Sequence, residues 1–103
     1  MCKKTNQSIN GTSFHDVTIR ASVQDLTRAL GEPSYVDNSG EDKVNFEWDL
    51  ETEDGDVFTI YDWKEYREIS DIEVIEFHIG AHSKSVSNVA KTEIQKQLND
   101  LFN

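Results

Sequence analysis

The sequence predicts an α+β fold, a two-layer sandwich in which an antiparallel sheet carries two helices on one face. Residues 44–51 alternate apolar and polar side chains, which is the pattern of a half-buried strand. Residues 23–30 and 86–101 place apolar side chains at helical spacing. The elements follow one another in the order β-α-β-β-β-α, which favours helices packed together on one face of the sheet.

The first strand and helix are predicted over residues 12–30. Residues 1–11 are polar and end in Asn-Gly, so we expect a flexible N-terminal lead-in before a single domain over residues 12–103. A Val-Thr-Ile run then indicates a strand. Ser22 is a favourable N-cap for the helix that follows, and Gly31 is a favourable residue to end it.

The next two strands are predicted to form a hairpin. A three-residue loop ending at Gly55 pairs Leu50 with Phe58 and Trp48 with Ile60. A two-residue turn would shift the register by one residue and leave Phe58 and Ile60 among glutamates. Because burial of a large apolar side chain stabilises a fold by about 1.5–3 kcal/mol, we predict the three-residue loop.

Two loops and two further elements complete the prediction. Residues 34–42 and 80–84 are rich in turn-forming side chains and are expected to be loops. Residues 72–80 predict a strand with Ile75, Phe77 and Ile79 on its buried face. A final helix is expected from about Ser85 or Ser87 to Leu101, with an apolar stripe formed by Val86, Val89, Ala90, Ile94, Leu98 and Leu101.

Negative charge is concentrated in the middle of the chain. The 103 residues have a formal net charge of −10, and residues 32–76 alone carry sixteen acidic and three basic side chains. We therefore expect no direct binding to nucleic acid, and a partner protein with a basic surface is the natural electrostatic match. No apolar run reaches the ~20 residues of a membrane span, so no membrane partner is expected.

The sheet face opposite the helices is the predicted binding face. Alternation places on it Asn45, Glu47, Asp49, Thr59, Tyr61, Trp63, Val74, Glu76 and His78. Aromatic and arginine side chains often anchor interfaces. The predicted binding residues are Tyr61, Trp63, Lys64, Tyr66, Arg67, Glu47, Asp49, Glu76, His78 and His82. An ordinary solvated sheet face and a shifted hairpin register are the alternatives.

The sequence lacks the common patterns of catalytic and metal sites. The carboxylate-rich run before Gly55 does not have the spacing of an EF-hand, and the three histidines match no zinc signature. It contains no G-x-S-x-G nucleophile elbow and no glycine-rich phosphate loop. We therefore expect no enzyme activity, no cofactor and no metal. An acid–base pair among the many carboxylates stays open as an alternative.

Several short strings together resemble a family of small tailed-bacteriophage proteins that has no settled activity. The likeness spans residues 10–83 and is most specific at a Tyr-Asp-Trp-Lys string. The matching strings are Asn10-Gly11-Thr12-Ser13, Leu30-Gly31-Glu32-Pro33, Lys43-Val44-Asn45-Phe46-Glu47-Trp48, Asp54-Gly55, Phe58-Thr59-Ile60-Tyr61-Asp62-Trp63-Lys64 and Phe77-His78-Ile79-Gly80. The resemblance implies a phage origin and expression in the cytoplasm of a bacterial host.

The leading functional hypothesis is a phage-encoded, non-enzymatic inhibitor of a host defence protein, which docks through its acidic, aromatic sheet face. This step rests on analogy with other small acidic phage proteins. A second hypothesis is a sponge for a nucleotide immune signal, with a base stacked on Tyr61 or Trp63 and phosphates near Lys64, Arg67, His78 or His82. A third is a nucleic-acid mimic, with a row of charge at Glu47, Asp49 and Glu51. A weak enzyme and a virion component are further alternatives.

Overall fold

Within residues 1–102, six strands form one antiparallel sheet, and two helices pack against it. The computed structural model of the chain describes residues 1–102, so Asn103, the last residue of the predicted domain, lies outside the described residues. The strand order across the sheet is β1-β4-β5-β6-β2, with β3 also paired to β4. The elements are β1 (Lys3–Lys4), β2 (Ser13–Ala21), α1 (Val23–Leu30), β3 (Tyr35–Val36), β4 (Phe46–Glu51), β5 (Val57–Tyr61), β6 (Ile75–Ala81) and α2 (Lys84–Asp100).

The predicted α+β sandwich is confirmed, and the two additional strands are the main difference in element order. Both β1 and β3 are only two residues long, too short for alternation to reveal them. They pair with opposite ends of β4, which would otherwise be an edge strand. Between them, Ser34 Oγ accepts a hydrogen bond from Asp49 N. This covering of the β4 edge protects it from pairing with another chain.

The β4–β5 hairpin has the predicted register. Leu50 lies opposite Phe58 and Trp48 lies opposite Ile60, and all four side chains are fully buried. Gly55 has a φ of 90°, the left-handed conformation that the three-residue loop requires. The burial of these four side chains explains why this register is preferred over the shifted one.

Helix α1 begins and ends as predicted. The Ser22 Oγ accepts a hydrogen bond from Asp25 N, and Gly31 follows the last residue of the helix. Val23, Leu26 and Leu30 face the core. The amphipathic stripe at helical spacing therefore marked the correct face.

Helix α2 starts earlier than predicted, because its N-cap is Ser83 rather than Ser85 or Ser87. The Ser83 Oγ accepts a hydrogen bond from Val86 N. Val89, predicted within the apolar stripe, is exposed. Buried positions of the helix include the polar Ser87 and Gln97 beside Ala90, Ile94 and Leu98.

The N-terminal segment, residues 1–12, is packed against the domain rather than free. Cys2 is buried, and both its backbone N and its Sγ donate to the Gln97 Oε1, at 2.9 and 3.0 Å. Gln7 Nε2 donates to Gly55 O at the hairpin loop, and Gly11 lies against the His82 ring. The backbone and side chains of this segment thus find partners in β4, α2 and the hairpin loop, while the flexibility predicted for residues 1–11 stays a prediction.

Neither of the two helices within residues 1–102 is both long and apolar enough to cross a membrane.

Candidate functional site

Four rings form an aromatic cluster on the sheet face opposite the helices: Phe14, Tyr61, Trp63 and His78. Glu47, Tyr61 and His78 lie side by side on β4, β5 and β6. The Tyr61 ring meets Trp63 and His78 edge to face, with centroids 6.0 and 5.6 Å apart. His78 stacks on Phe14 at 3.9 Å and on Trp63 at 6.2 Å. The aromatic cluster thus brings together three of the predicted binding residues, Tyr61, Trp63 and His78, and adds Phe14.

Phe14 was not among the predicted site residues. It lies in β2 just before a register shift, where Asp16 has a left-handed φ of 64°. Its position in the sequence is out of phase with the buried Val17 and Ile19. Successive residues of a strand face opposite sides of a sheet, so the odd spacing between Phe14 and Val17 could have placed Phe14 on the open face.

Residues 62–69, here called the recognition loop, are fixed to β4 by a buried carboxylate. Asp62 is 1% exposed, and its Oδ1 accepts hydrogen bonds from Asn45 N and Phe46 N, both at 2.8 Å. Lys64 N donates to Lys43 O at 2.8 Å. The sequence predicted neither the burial of Asp62 nor that of Asn45, which was assigned to the exposed face. Asn45 is fully buried because it takes part in these backbone contacts.

A second group of contacts fixes the far end of the recognition loop. Asn45 Nδ2 donates to Arg67 O at 2.6 Å. The Asn38 side chain accepts from Ile69 N and donates to Ile69 O, at 2.8 and 2.9 Å. A Cβ at Gly40 would lie 2.6 Å from the Arg67 Cα, so only glycine permits this approach.

The recognition loop holds two non-glycine residues in the left-handed region. Lys64 has a φ of 56° and Tyr66 a φ of 50°, a conformation that costs on the order of 1–2 kcal/mol per residue. The loop presents Trp63 at 40% and Tyr66 at 54% exposure. Strained backbone that surrounding contacts hold in place is concentrated at functional sites in proteins.

The basic side chains in and beside the recognition loop, Lys43, Lys64 and Arg67, make different contacts. Lys43 and Lys64 place their Nζ atoms 5.8 and 5.6 Å from the Trp63 ring centroid. Arg67 forms two hydrogen bonds with the Glu73 carboxylate, at 2.8 and 2.6 Å, and this pairing raises the pKa of Arg67 and lowers that of Glu73. Arg67 was predicted as a binding residue, but its guanidinium is already engaged within the chain.

Glu47 and Asp49 form a carboxyl pair on β4, beside the aromatic cluster. Burial raises the pKa of Glu47 to about 7, helped by hydrogen bonding to Asp49 and by the charge of Asp49. Within residues 1–102, the buried Asp49 Oδ1 has no hydrogen-bond donor. A proton on Glu47 supplies a donor beside Asp49, which is why the protonated form of Glu47 is favoured here.

The neighbouring rings also respond to burial. Burial raises the pKa of Tyr61, and the charge of Glu47 raises it further. Burial lowers the pKa of His78, although the charge of Glu76 opposes the shift. Both groups are therefore held in their neutral forms near pH 7, so the centre of this face is less charged than its sequence suggests.

A cavity of about 240 Å³ lies beside Tyr61 and Trp63. At Gly80, a Cβ would lie 2.7 Å from the Thr59 Oγ1, so the absence of a side chain there makes room for Thr59. Thr59 is only 3% exposed, less than its predicted place on an open face implies. The cavity is lined by Ile9, Thr12, Ser13, Val44, Glu47, Thr59, Tyr61, Trp63 and Gly80.

A larger cavity, of about 390 Å³, lies against α1 and residues 32–36. Its lining includes Arg28, Glu32 and Asp71 beside several apolar side chains. These mixed charges favour no single class of ligand. The smaller cavity lies beside the aromatic cluster and is the better candidate site.

The remaining predicted residues lie at the margin of the site. Glu76 is exposed on β6 opposite Arg20, and Val74 precedes β6 and is exposed. His82 is exposed at the end of the sheet, outside the cavity lining. Among the residues that the structure describes, no group of three or more His, Cys, Asp or Glu side chains could hold a metal ion.

No protein-family model matches this chain, and a search of curated proteins found no match either.

Proposed function

We propose that the chain is a phage-encoded, non-enzymatic binding protein that inhibits a host defence protein in the bacterial cytoplasm. It docks through the aromatic cluster and the recognition loop. The observation that supports binding most strongly is the strained recognition loop, which is fixed at both ends and exposes Trp63 and Tyr66. A loop held in place before binding loses little conformational entropy when a partner docks.

The charge around the site favours a partner with a basic surface. Residues 32–76 carry a large excess of acidic side chains, and this stretch includes Glu47, Asp49 and the recognition loop. Opposite charge on the partner accelerates association and disfavours wrong partners. Added salt should therefore weaken the complex.

A pull-down from a bacterial host lysate tests this proposal. The wild-type chain should retain a specific host protein and release it with salt, and the purified host protein should lose activity when the chain is added. Trp63→Ala should abolish retention. Phe102→Ala is the matched control, because Phe102 is an exposed aromatic residue just after α2, in the layer opposite the cluster. Equal retention by wild type and Trp63→Ala would contradict the proposal.

A nucleotide sponge is the second candidate. The observation that favours it is the pair of ammonium groups, from Lys43 and Lys64, beside the Trp63 ring. A base stacked on Trp63 would place its phosphates near these cations. Mass spectrometry of the denatured, purified protein would detect a retained nucleotide, and its absence at high protein concentration would count against this candidate.

The nucleic-acid mimic has less support. The row formed by Glu47, Asp49 and Glu51 is half-buried rather than fully exposed. With its pKa raised to about 7, Glu47 is protonated in part of the molecules at neutral pH. The row therefore presents less regular negative charge than a phosphate backbone.

A further inference from the structure

We infer that the cavity beside Tyr61 and Trp63 is a subsite for an arginine side chain of the partner protein. This inference rests on the proposed function, because it names the chemical group that docks at the same face. The lining of the cavity, its carboxyl group and its aromatic wall support this inference.

The lining of the cavity suits a cation with several hydrogen-bond donors. Its side chains are apolar, aromatic or hydroxyl-bearing, apart from the carboxyl group of Glu47. The hydroxyl groups of Thr12, Ser13 and Thr59 supply further acceptors. The volume, about 240 Å³, lies below the ~300–1,000 Å³ of pockets for drug-sized ligands and is closer to the scale of a side chain.

The Glu47 carboxyl group favours a guanidinium over an ammonium group. Within residues 1–102, Glu47 is the only carboxyl group in the cavity lining; Asp49 follows it on the same face of β4 but does not line the cavity. A guanidinium presents a planar fork of N–H donors, so it can serve a carboxylate with two parallel hydrogen bonds. A guanidinium in the cavity would meet the Glu47 carboxyl group directly, and Asp49 adds a second acidic side chain next to it on the strand.

The aromatic wall supports the same ligand. Tyr61 and Trp63 stand at right angles, with an interplanar angle of 81°. Arginine stacks on aromatic faces and is attracted by their negative potential. The Lys43 and Lys64 ammonium groups lie within 6 Å of the Trp63 centroid and oppose a further cation at that ring, so the attraction for the guanidinium comes from Glu47 and Tyr61.

The test is an NMR titration of the whole chain, labelled with ¹⁵N, with N-acetyl-arginine amide. The two tryptophan indole N–H signals report on different places. Trp63 lines the cavity, whereas Trp48 is buried in the core and donates its Nε1–H to Gly31 O at 2.9 Å. We expect the Trp63 signal to shift and saturate with a dissociation constant in the millimolar range, while the Trp48 signal stays in place.

Variants and neutral ligands complete the test. Glu47→Gln should weaken binding about tenfold or more, because it removes a charge-assisted hydrogen bond. Glu51→Gln, on the same face of β4 but outside the cavity lining, should bind like wild type. N-acetyl-citrulline amide, the uncharged analogue of the probe, should cause no saturable shift. An unchanged Trp48 signal in each variant shows that the fold is intact.

Three results would overturn the inference: no saturable shift with the arginine probe, equal binding of the citrulline analogue, or a saturable response to adenosine monophosphate alone. The last would point to a nucleotide instead. Failure here leaves the proposed function standing if Trp63→Ala still abolishes retention of the host protein. Conversely, arginine binding without any host partner would refute the proposed function and not the subsite.

Discussion

Phe14 and His78 stack face to face across β2 and β6, with ring centroids 3.9 Å apart and planes 13° from parallel. Together with Tyr61 and Trp63 they turn the open face of the sheet into a continuous aromatic surface. Burial in this cluster lowers the pKa of His78, so a neutral imidazole occupies the stack near pH 7.

Replacement of the two tryptophans should lower the stability of the fold to very different extents. Trp48→Ala should destabilise the fold by about 3–5 kcal/mol, because its fully buried ring fills the core. Trp63→Ala should cost about 1 kcal/mol or less, since the exposed ring loses mainly its stacking contacts. Urea denaturation measures both. If Trp63→Ala unfolds the chain, Trp63 is a core residue and the recognition face is misplaced.

Asp62 should be essential for the recognition loop. Asp62→Ala leaves two buried N–H groups, those of Asn45 and Phe46, without their acceptor. Each unsatisfied group costs about 1–3 kcal/mol, so we expect a loss of about 2–6 kcal/mol in the free energy of unfolding. Asp62→Asn should lose less, because the amide oxygen can still accept. Equal losses for the two variants would argue against this role of the oxygen.

Gly80 and Thr59 should be coupled. Gly80→Ala places a Cβ 2.7 Å from the Thr59 Oγ1 and should cost about 1–3 kcal/mol through overpacking. Thr59→Ala removes that oxygen, so the double variant should be more stable than Gly80→Ala alone. A double-mutant cycle from chemical denaturation gives the coupling energy. Additive losses would show that the two residues do not compete for space.

Glu47 should make stability fall as pH rises. Its pKa is about 7 in the folded chain against an ordinary value of 4.5. Between these values the folded state holds a proton that the unfolded state has released, so the free energy of unfolding decreases as pH increases from about 4.5 to about 7. His78, whose pKa is lowered, acts in the opposite direction below its ordinary value of 6.5.

The contribution of Glu47 can be isolated by comparison with Glu47→Gln. The difference in unfolding free energy, wild type minus variant, should decrease from pH 5 to pH 8, as measured by urea denaturation at several pH values. His78 is present in both proteins, so its titration largely cancels. Glu51→Gln should keep the wild-type slope. A difference that does not change with pH would show that Glu47 titrates normally.

Cys2 should react slowly with alkylating reagents. Burial raises the pKa of its thiol from 9.0 to about 11, which lowers the reactive thiolate fraction on the order of 100-fold. Iodoacetamide at pH 8 should therefore modify the native chain far more slowly than the chain in urea. Gln97→Ala should accelerate the native reaction, because Gln97 Oε1 accepts from both Cys2 N and Cys2 Sγ. Equal rates in buffer and in urea would show that the N-terminal segment is free.

The sequence predicted the parts of the fold that depend on periodic burial. The Trp48–Ile60 and Leu50–Phe58 pairs follow from alternation together with the cost of exposing large apolar side chains. The face that carries Glu47, Tyr61 and His78 follows from the same alternation. The strand pairs and the exposed face both follow from a local alternation of apolar and polar residues, so a single sequence is enough to predict them.

The contacts that shape the site could not be obtained in this way. Asn45 and Asp62 are buried because backbone N–H and C=O groups need partners, and such contacts leave no period in the sequence. β1 and β3 pair with the edge of β4, and strands of two residues leave no alternation in the sequence. Arg67 pairs with Glu73 six residues later in the chain. The amino-acid composition of this loop does not define the path of its backbone, so the pair could not be predicted.

The N-terminal segment links two distant places by thermodynamics. Cys2 fastens it to Gln97 in α2, while Ile9 and Thr12 belong to the wall of the cavity. A ligand held in the cavity must therefore favour the ordered form of this segment, and by reciprocity any change that loosens the segment must weaken the ligand. Gln97 lies in the opposite layer of the sandwich and does not line the cavity, yet its substitution should change the affinity of the cavity for its ligand.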